Sequence, residues 1–186
     1  MSLKGRLQIG LMFFILFLTG AFYMQSNHDL ALTQRTMTEV SEGLQNGERA
    51  PGFSLETLTG EPVNTRDFEG EKIVIFFFTT WCHNCSEQWL QLEWAKKNGF
   101  LNNIQIIGVN LTTLESTQHD ISDYVSSIPI EGVPILLDKE GEVQELYEII
   151  AVPTSFMIDS NGIIQGRNLG IIPVETIKEN DFFSNN

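Results

Sequence analysis

The sequence predicts an α/β domain: a central mixed sheet covered by helices on both faces, with an N-terminal β-hairpin and one apolar helix ahead of it. Three observations carry that prediction. Residues 73–78 (Ile-Val-Ile-Phe-Phe-Phe) and 104–109 are unbroken apolar runs rich in β-branched side chains, the pattern of strands buried on both faces. The stretches beginning at Trp81 and at Thr117 have helical length, so crossovers place helices over the sheet. Asp159-Ser160-Asn161-Gly162, between two further apolar runs, is a hairpin turn.

The elements follow in order. Residues 53–55 and 61–63 read as short strands around Thr59-Gly60, and 65–68 as a helical turn that Gly70 ends. Residues 73–78 form the central strand. Residues 81–97 form a helix stopped by Asn98-Gly99. A second buried strand spans 104–109. A helix spans 117–125, with Thr117 and Asp120 at capping-box spacing. Residues 134–137 are a third strand, followed by a turn over 138–141 and a short helix over 142–149. Strands at 154–158 and 163–167 flank the hairpin turn, and 173–182 is a last helix with proline at an early position.

Composition bounds the function. With 42% hydrophobic and 10% aromatic residues, the 186-residue chain is no disordered segment and holds one domain plus some extra length. Its 24 acidic residues face 11 basic ones, a net charge of −13, which argues against nucleic-acid binding, since that needs a basic face to meet phosphates. Two cysteines exclude a multi-disulfide framework and an all-cysteine zinc site.

The N-terminal segment sets the expected compartment. Lys4 and Arg6 precede an uncharged apolar stretch, residues 7–24, about the minimum for a helix to cross a ~30 Å hydrocarbon core. Phe22 and Tyr23 lie at its far end, where aromatic rings favour the membrane interface. The reading is a cytoplasmic N-terminus (1–6), a transmembrane anchor (7–24), a linker (25–46, part helical around 30–40) and a globular domain (47–186) outside the cytoplasm, the whole a single-pass protein of the cell membrane. The alternative is a signal peptide cleaved near Thr19-Gly20-Ala21, giving a secreted domain; the run is long for a signal core of about 7–15 residues. The acidic domain is repelled by anionic headgroups, so it is held near the membrane and not laid upon it.

Cys82-His83-Asn84-Cys85 is the group that carries chemistry. It follows a buried strand and opens a helix. Two intervening residues bring the sulfurs within disulfide reach. Cys82 then lies near the positive end of the helix, among unpaired N–H groups that favour a thiolate and lower its pKa. Cys85 is expected to be the more buried sulfur, which keeps it protonated until it is needed. The chemistry is thiol–disulfide exchange: Cys82 attacks a substrate disulfide, and Cys85 resolves the mixed disulfide by attacking Cys82. Three other readings stand beside it. A structural disulfide closing so small a loop adds little stability. A metal site would recruit His83, but His28 and His119 lack finger-like spacing. Two buried thiols would be inert. The exchange reading calls for no metal and no cofactor.

With its flanks, the motif resembles a known superfamily. Phe77-Phe78-Thr79-Thr80-Trp81 ahead of Cys82-His83-Asn84-Cys85, and Val152-Pro153-Thr154 before a strand, resemble the thioredoxin superfamily and its cis-proline element. Ala50-Pro51-Gly52-Phe53, Leu58-Thr59-Gly60, Asp67-Phe68-Glu69-Gly70, the 133–138 stretch and the 156–162 stretch are similar to the TlpA/ResA-like branch, over residues 47–172. The resemblance implies a thioredoxin-like fold and a membrane-anchored thiol–disulfide oxidoreductase with a redox-active Cys82–Cys85 disulfide. It implies a cis bond before Pro153 packed against the cysteines, with Trp81, Val152 and Pro153 presenting the substrate surface. It further implies protein dithiol or disulfide substrates and a membrane electron donor.

Departures from the pattern fall on the tuning residues. Asn84 stands where many relatives have proline, which would stiffen the turn. His83 directly follows the reactive cysteine, where a protonated imidazole would stabilise the thiolate and make the disulfide more oxidising. Gln88 stands where the branch has Glu, Glu87 is turned about 100° away on the helix, and Phe76 stands where thioredoxins proper have a buried Asp. Exchange is therefore expected to be slower or differently tuned. The expected function is electron exchange with partner proteins, as a reductant. The alternatives are an oxidant of exported thiols, a peroxiredoxin-like peroxidase, a copper carrier and a structural binding module. Against the peroxidase, Thr79 fits its pattern but Ile75 replaces its proline; against the carrier, its cysteines are spaced by three residues.

Overall fold

The computed structural model describes residues 12, 14–24 and 40–183. The chain forms two compact units, Met1–Val40 and Ser41–Asn186. In the first, residues 14–24 form a helix (α1) with exposed apolar side chains, Phe17 and Phe22 among them. Among the described residues no helix is long and apolar enough to cross a membrane. Residues 1–11 and 13, which include the start of the span read from the sequence, and 25–39 of the linker lie outside the described residues.

The second unit is built on a seven-stranded mixed sheet of order β2-β1-β5-β4-β3-β6-β7. The strands are β1 (Ser54–Thr57), β2 (Pro62–Asn64), β3 (Lys72–Phe78), β4 (Ile104–Asn110), β5 (Ile135–Leu137), β6 (Thr154–Ile158) and β7 (Ile164–Leu169). The helices are α2 (His83–Lys97), α3 (Gln118–Ser127), α4 (Glu142–Leu146) and α5 (Val174–Glu179). β3 pairs in parallel with β4, from Lys72↔Ile104 to Phe78↔Asn110, and antiparallel with β6, from Ile73↔Ile158 to Phe77↔Thr154. The hairpin β1–β2 joins the sheet through β5.

β3 explains why both faces are covered. Its side chains alternate, so Val74, Phe76 and Phe78 pack with Trp89, Leu92 and Ala95 of α2 and Ile177 of α5. Ile73, Ile75 and Phe77 face the other way, onto Phe53, Val143 and Tyr147. Six consecutive buried residues leave no polar face, and each large side chain contributes about 1.5–3 kcal/mol of burial. Gly108 in β4 makes room for α2: a Cβ there would lie 3.0 Å from Trp89 Cη2 and 2.6 Å from Ile135 Cδ1.

Element ends differ from the sequence reading for local reasons. α2 starts at His83 because Cys82 is its N-cap. α4 stops at Leu146, short of residue 149, because Tyr147 caps it and Glu148 takes a left-handed φ of 48°. Thr117 Oγ1 accepts the Asp120 N–H at 3.2 Å, one half of a capping box, whereas Asn64 and Asp67 form a reciprocal one. Ahead of Gly47, Ser41 O accepts the Arg49 N–H at 2.9 Å, and the Gly47 N–H donates to Ile164 O at 2.8 Å, tying this segment to β7.

Candidate active site

β3 and β4 are parallel neighbours, so their carboxyl ends open on the same edge of the sheet, where α/β proteins place their sites. β3 runs directly into Thr79, Thr80, Trp81 and Cys82. Cys82 and Cys85 form a disulfide with Cα atoms 5.2 Å apart. Cys82 caps α2: its Sγ accepts the Cys85 N–H at 3.1 Å, and its carbonyl accepts the N–H groups of Cys85 and Ser86. A sulfur bearing negative charge there meets an N–H donor and the positive helix end. Cys82 keeps 7% of its surface exposed and Cys85 none, so a partner reaches the first sulfur first.

The surroundings fall on two sides. Trp81 is 63% exposed, and its Nε1–H donates to Leu114 O at 3.1 Å. The Val152–Pro153 bond is cis. Thr154, one residue on, pairs with Phe77, which sets this turn at the same sheet end as Cys82. Pro153 is buried, and half-buried Val152 packs against the cluster that holds both cysteines. Pro153 O accepts the Gly170 N–H at 2.8 Å. Exposed Ile150 and Leu169 flank the turn.

The structure also places the tuning candidates. His83 and Asn84 are exposed. Glu87 is half-buried and accepts a hydrogen bond from Gln91 Nε2 at 2.7 Å. Gln88 is fully buried; its Oε1 accepts the Ile172 N–H at 2.6 Å, and its Nε2 has no hydrogen-bond partner among the described residues. Phe76 lies in the core against Trp89. Trp89 is buried and Trp94 partly buried, both in the α2-side core. Among the described residues there is no group of three or more His, Cys, Asp or Glu that could hold a metal ion.

Two neighbours were not singled out by the sequence. Tyr124 of α3 stacks on Phe78 and lies 3.2 Å from Ser86 Oγ. Burial raises its phenol above the ordinary value, with the Ser86 hydrogen bond opposing. Glu115 accepts hydrogen bonds from Thr80 and Asn110. Parallel pairing of the two buried strands was the available signal, because it brings the loop after β4 beside the loop after β3. Which side chain in that loop would reach across is not written in a linear pattern.

Comparison with known proteins agrees with this geometry. Residues 46–167 match the AhpC/TSA family. The thioredoxin-like protein YneN of Bacillus subtilis is 28% identical over 145 residues, 78% of this chain and 84% of that protein. The thiol-disulfide oxidoreductase ResA of Bacillus thuringiensis is 30% identical over 123 residues, 65% of this chain and 68% of that one. The crystal structure of StoA from Bacillus subtilis superposes with a TM-score of 0.59 at 29% identity, covering 69% of this chain and 95% of that one. The strand–CxxC–helix disulfide, the thioredoxin-like sheet and these relatives converge: the chain belongs to the AhpC/TSA family, as a thioredoxin-like thiol–disulfide oxidoreductase of the ResA-like group.

Proposed function

We propose that the protein works outside the cytoplasm, tethered through residues 7–24, and passes electrons from the Cys82–Cys85 pair to disulfides of partner proteins. The observation that carries this reading is the set of exposed apolar side chains next to Cys82 (Trp81) and beside the cis-proline turn (Ile150, Leu169). Trp81 at 63%, Leu169 at 62% and Ile150 at 87% exposure offer a protein segment something to bury. The charge-flanked apolar stretch after Arg6 supports the compartment.

The reaction balances on two sulfurs. Cys82 thiolate attacks the partner disulfide, forms a mixed disulfide and expels one partner thiolate, which takes a proton. Cys85, deprotonated, attacks Cys82 Sγ and expels the second partner thiolate. Two electrons reach the partner, and the Cys82–Cys85 disulfide seen here is left. A membrane dithiol donor then restores the pair by the same exchange in reverse.

Three measurements test this. Cys85→Ser in cells is expected to accumulate a covalent complex that dithiothreitol releases; no complex sinks the reading. A reduction potential below about −220 mV fits a reductant, and one near about −120 mV reverses the direction. A membrane-impermeant maleimide is expected to label Cys82 of reduced, intact cells; labelling only after lysis removes the compartment.

A further inference from the structure

Phe78 is the last residue of β3, and Cys82 caps α2. The three residues between them orient the reactive sulfur. Their backbone link is the Cys82 N–H to Thr79 O contact at 3.4 Å, long for an N–H···O bond. The short bonds come from the neighbouring loop. Glu115 Oε1 accepts the Thr80 N–H at 2.7 Å, and its Oε2 accepts the Thr80 hydroxyl at 2.6 Å. Leu114 O takes the Trp81 indole N–H at 3.1 Å. Two consecutive residues thus grip two consecutive residues ahead of Cys82.

The grip is anchored in the sheet. Asn110 ends β4, is fully buried, and donates from Nδ2 to Glu115 Oε1 at 2.6 Å. Its Oδ1 accepts the Thr112 hydroxyl at 3.1 Å, which fixes the amide orientation. The Leu111 N–H donates to Phe78 O at 3.0 Å and carries the strand pairing one residue beyond β4. Thr112–Leu114 then turns the chain so that Glu115 caps the turn and points back at Thr80. Bonds to a carboxylate are about twice as strong as neutral ones. None of the three donors is a cysteine, so opening the disulfide removes none of these bonds' partners.

We propose that Glu115 is a positioning residue for exchange: its carboxylate, fixed to the sheet by Asn110, holds Thr80 and thereby the orientation in which Trp81 and Cys82 meet α2. Exchange needs the attacking sulfur in line with the disulfide it attacks, so orientation enters the rate. The inference is independent of the direction of electron flow and of the compartment.

The test uses the full chain and dithiothreitol as the probe, following reduction of the Cys82–Cys85 disulfide by quenched alkylation. Glu115→Ala is expected to slow reduction about tenfold, within the roughly 10²-fold that a ~1 Å misplacement of reacting groups costs. Glu115→Gln is expected to stay within about twofold of the parent, because one oxygen still accepts both N–H donors and the new amide donates to the Thr80 hydroxyl. In Glu115→Ala the Trp81 indole N–H exchanges with solvent faster, while that of buried Trp89 does not; general loosening moves both. A parent-like rate in Glu115→Ala overturns the proposal. So does a Glu115→Gln rate as low as that of Ala, since charge and not position then acts. Should Glu115→Ala fail to fold, Thr80→Val removes one of the three bonds; an unchanged rate and Trp81 signal there overturn it equally.

Discussion

Gln88 Oε1 accepts the backbone N–H of Ile172 at 2.6 Å, one helical turn beyond Cys85. Gln91 repeats the arrangement on Val174 at 3.2 Å, so α2 fastens the chain that leads into α5. Of the amide's two ends only the oxygen can accept from an N–H, which fixes the orientation of Gln88 and makes it an anchor and not a proton carrier. Gln88→Ala leaves a buried N–H unmade and is expected to cost about 1–3 kcal/mol in urea unfolding. The pH–rate profile of exchange is expected to keep its shape. A base titrating near neutrality in the parent and lost in Gln88→Ala would refute this. Gln88→Glu keeps the acceptor but buries a carboxyl, and burial disfavours its ionised form. Its folded pKa is then raised above the unfolded value, so this variant loses stability relative to the parent as pH rises above about 4.3.

The N-cap geometry of Cys82 predicts unequal sulfurs. The Cys85 N–H points at Cys82 Sγ, and Cys85 has no exposed surface. In the reduced protein, iodoacetamide at pH 7 is expected to modify Cys82 first and faster than a free cysteine in the same solution. Peptide mapping after a brief pulse checks it. Equal labelling of both sulfurs contradicts the assignment of Cys82 as the attacking group.

Tyr147 predicts the alkaline limb of stability. Its ring packs on Phe53, Phe77 and Phe156, and its hydroxyl donates to Pro51 O at 2.6 Å. Burial pushes its phenol well above the ordinary range, and the Glu42 charge adds to the shift. The unfolded chain releases this proton near about pH 10, while the folded chain retains it. The stabilisation is therefore complete below about pH 10 and is lost above it, by about 1.4 kcal/mol per pH unit for this proton. Tyr147→Phe is expected to cost about 0.5–1.5 kcal/mol at neutral pH and to flatten that slope by one proton, leaving the contribution of Tyr124. An unchanged slope counts against it.

Where a residue's surroundings come from its own stretch of chain, the sequence already shows them. The Ile73–Phe78 run had to lie between covered faces, and the helix opening at the cysteines had to meet them with its N-terminus. Residues whose roles depend on distant partners gave no such signal. Glu115 reaches Thr80 across 35 positions, and Tyr147 reaches Pro51 across 96. Gln88 stood out in the sequence as a missing acid; its hydrogen bond to Ile172, 84 residues on, shows what the amide does instead.

Gly108 belongs to that second group, and it links the sheet to the reactive helix. Trp89 stands edge-on to Phe76 and Phe78, at 4.7 and 5.5 Å between ring centroids, over a strand that has no Cβ at this point. An added methyl would meet Trp89 Cη2 at 3.0 Å and Ile135 Cδ1 at 2.6 Å, so α2 or β5 must give way. Overpacking of this kind costs about 1–3 kcal/mol. Trp89 lies one turn beyond Cys85 on the same helix. Gly108→Ala is expected to lower stability by that amount, and Trp89→Phe in the same chain to recover part of it, because the smaller ring vacates the contested space. A double-mutant cycle in urea reads the coupling directly. Strict additivity of the two substitutions would show that Trp89 does not depend on the glycine.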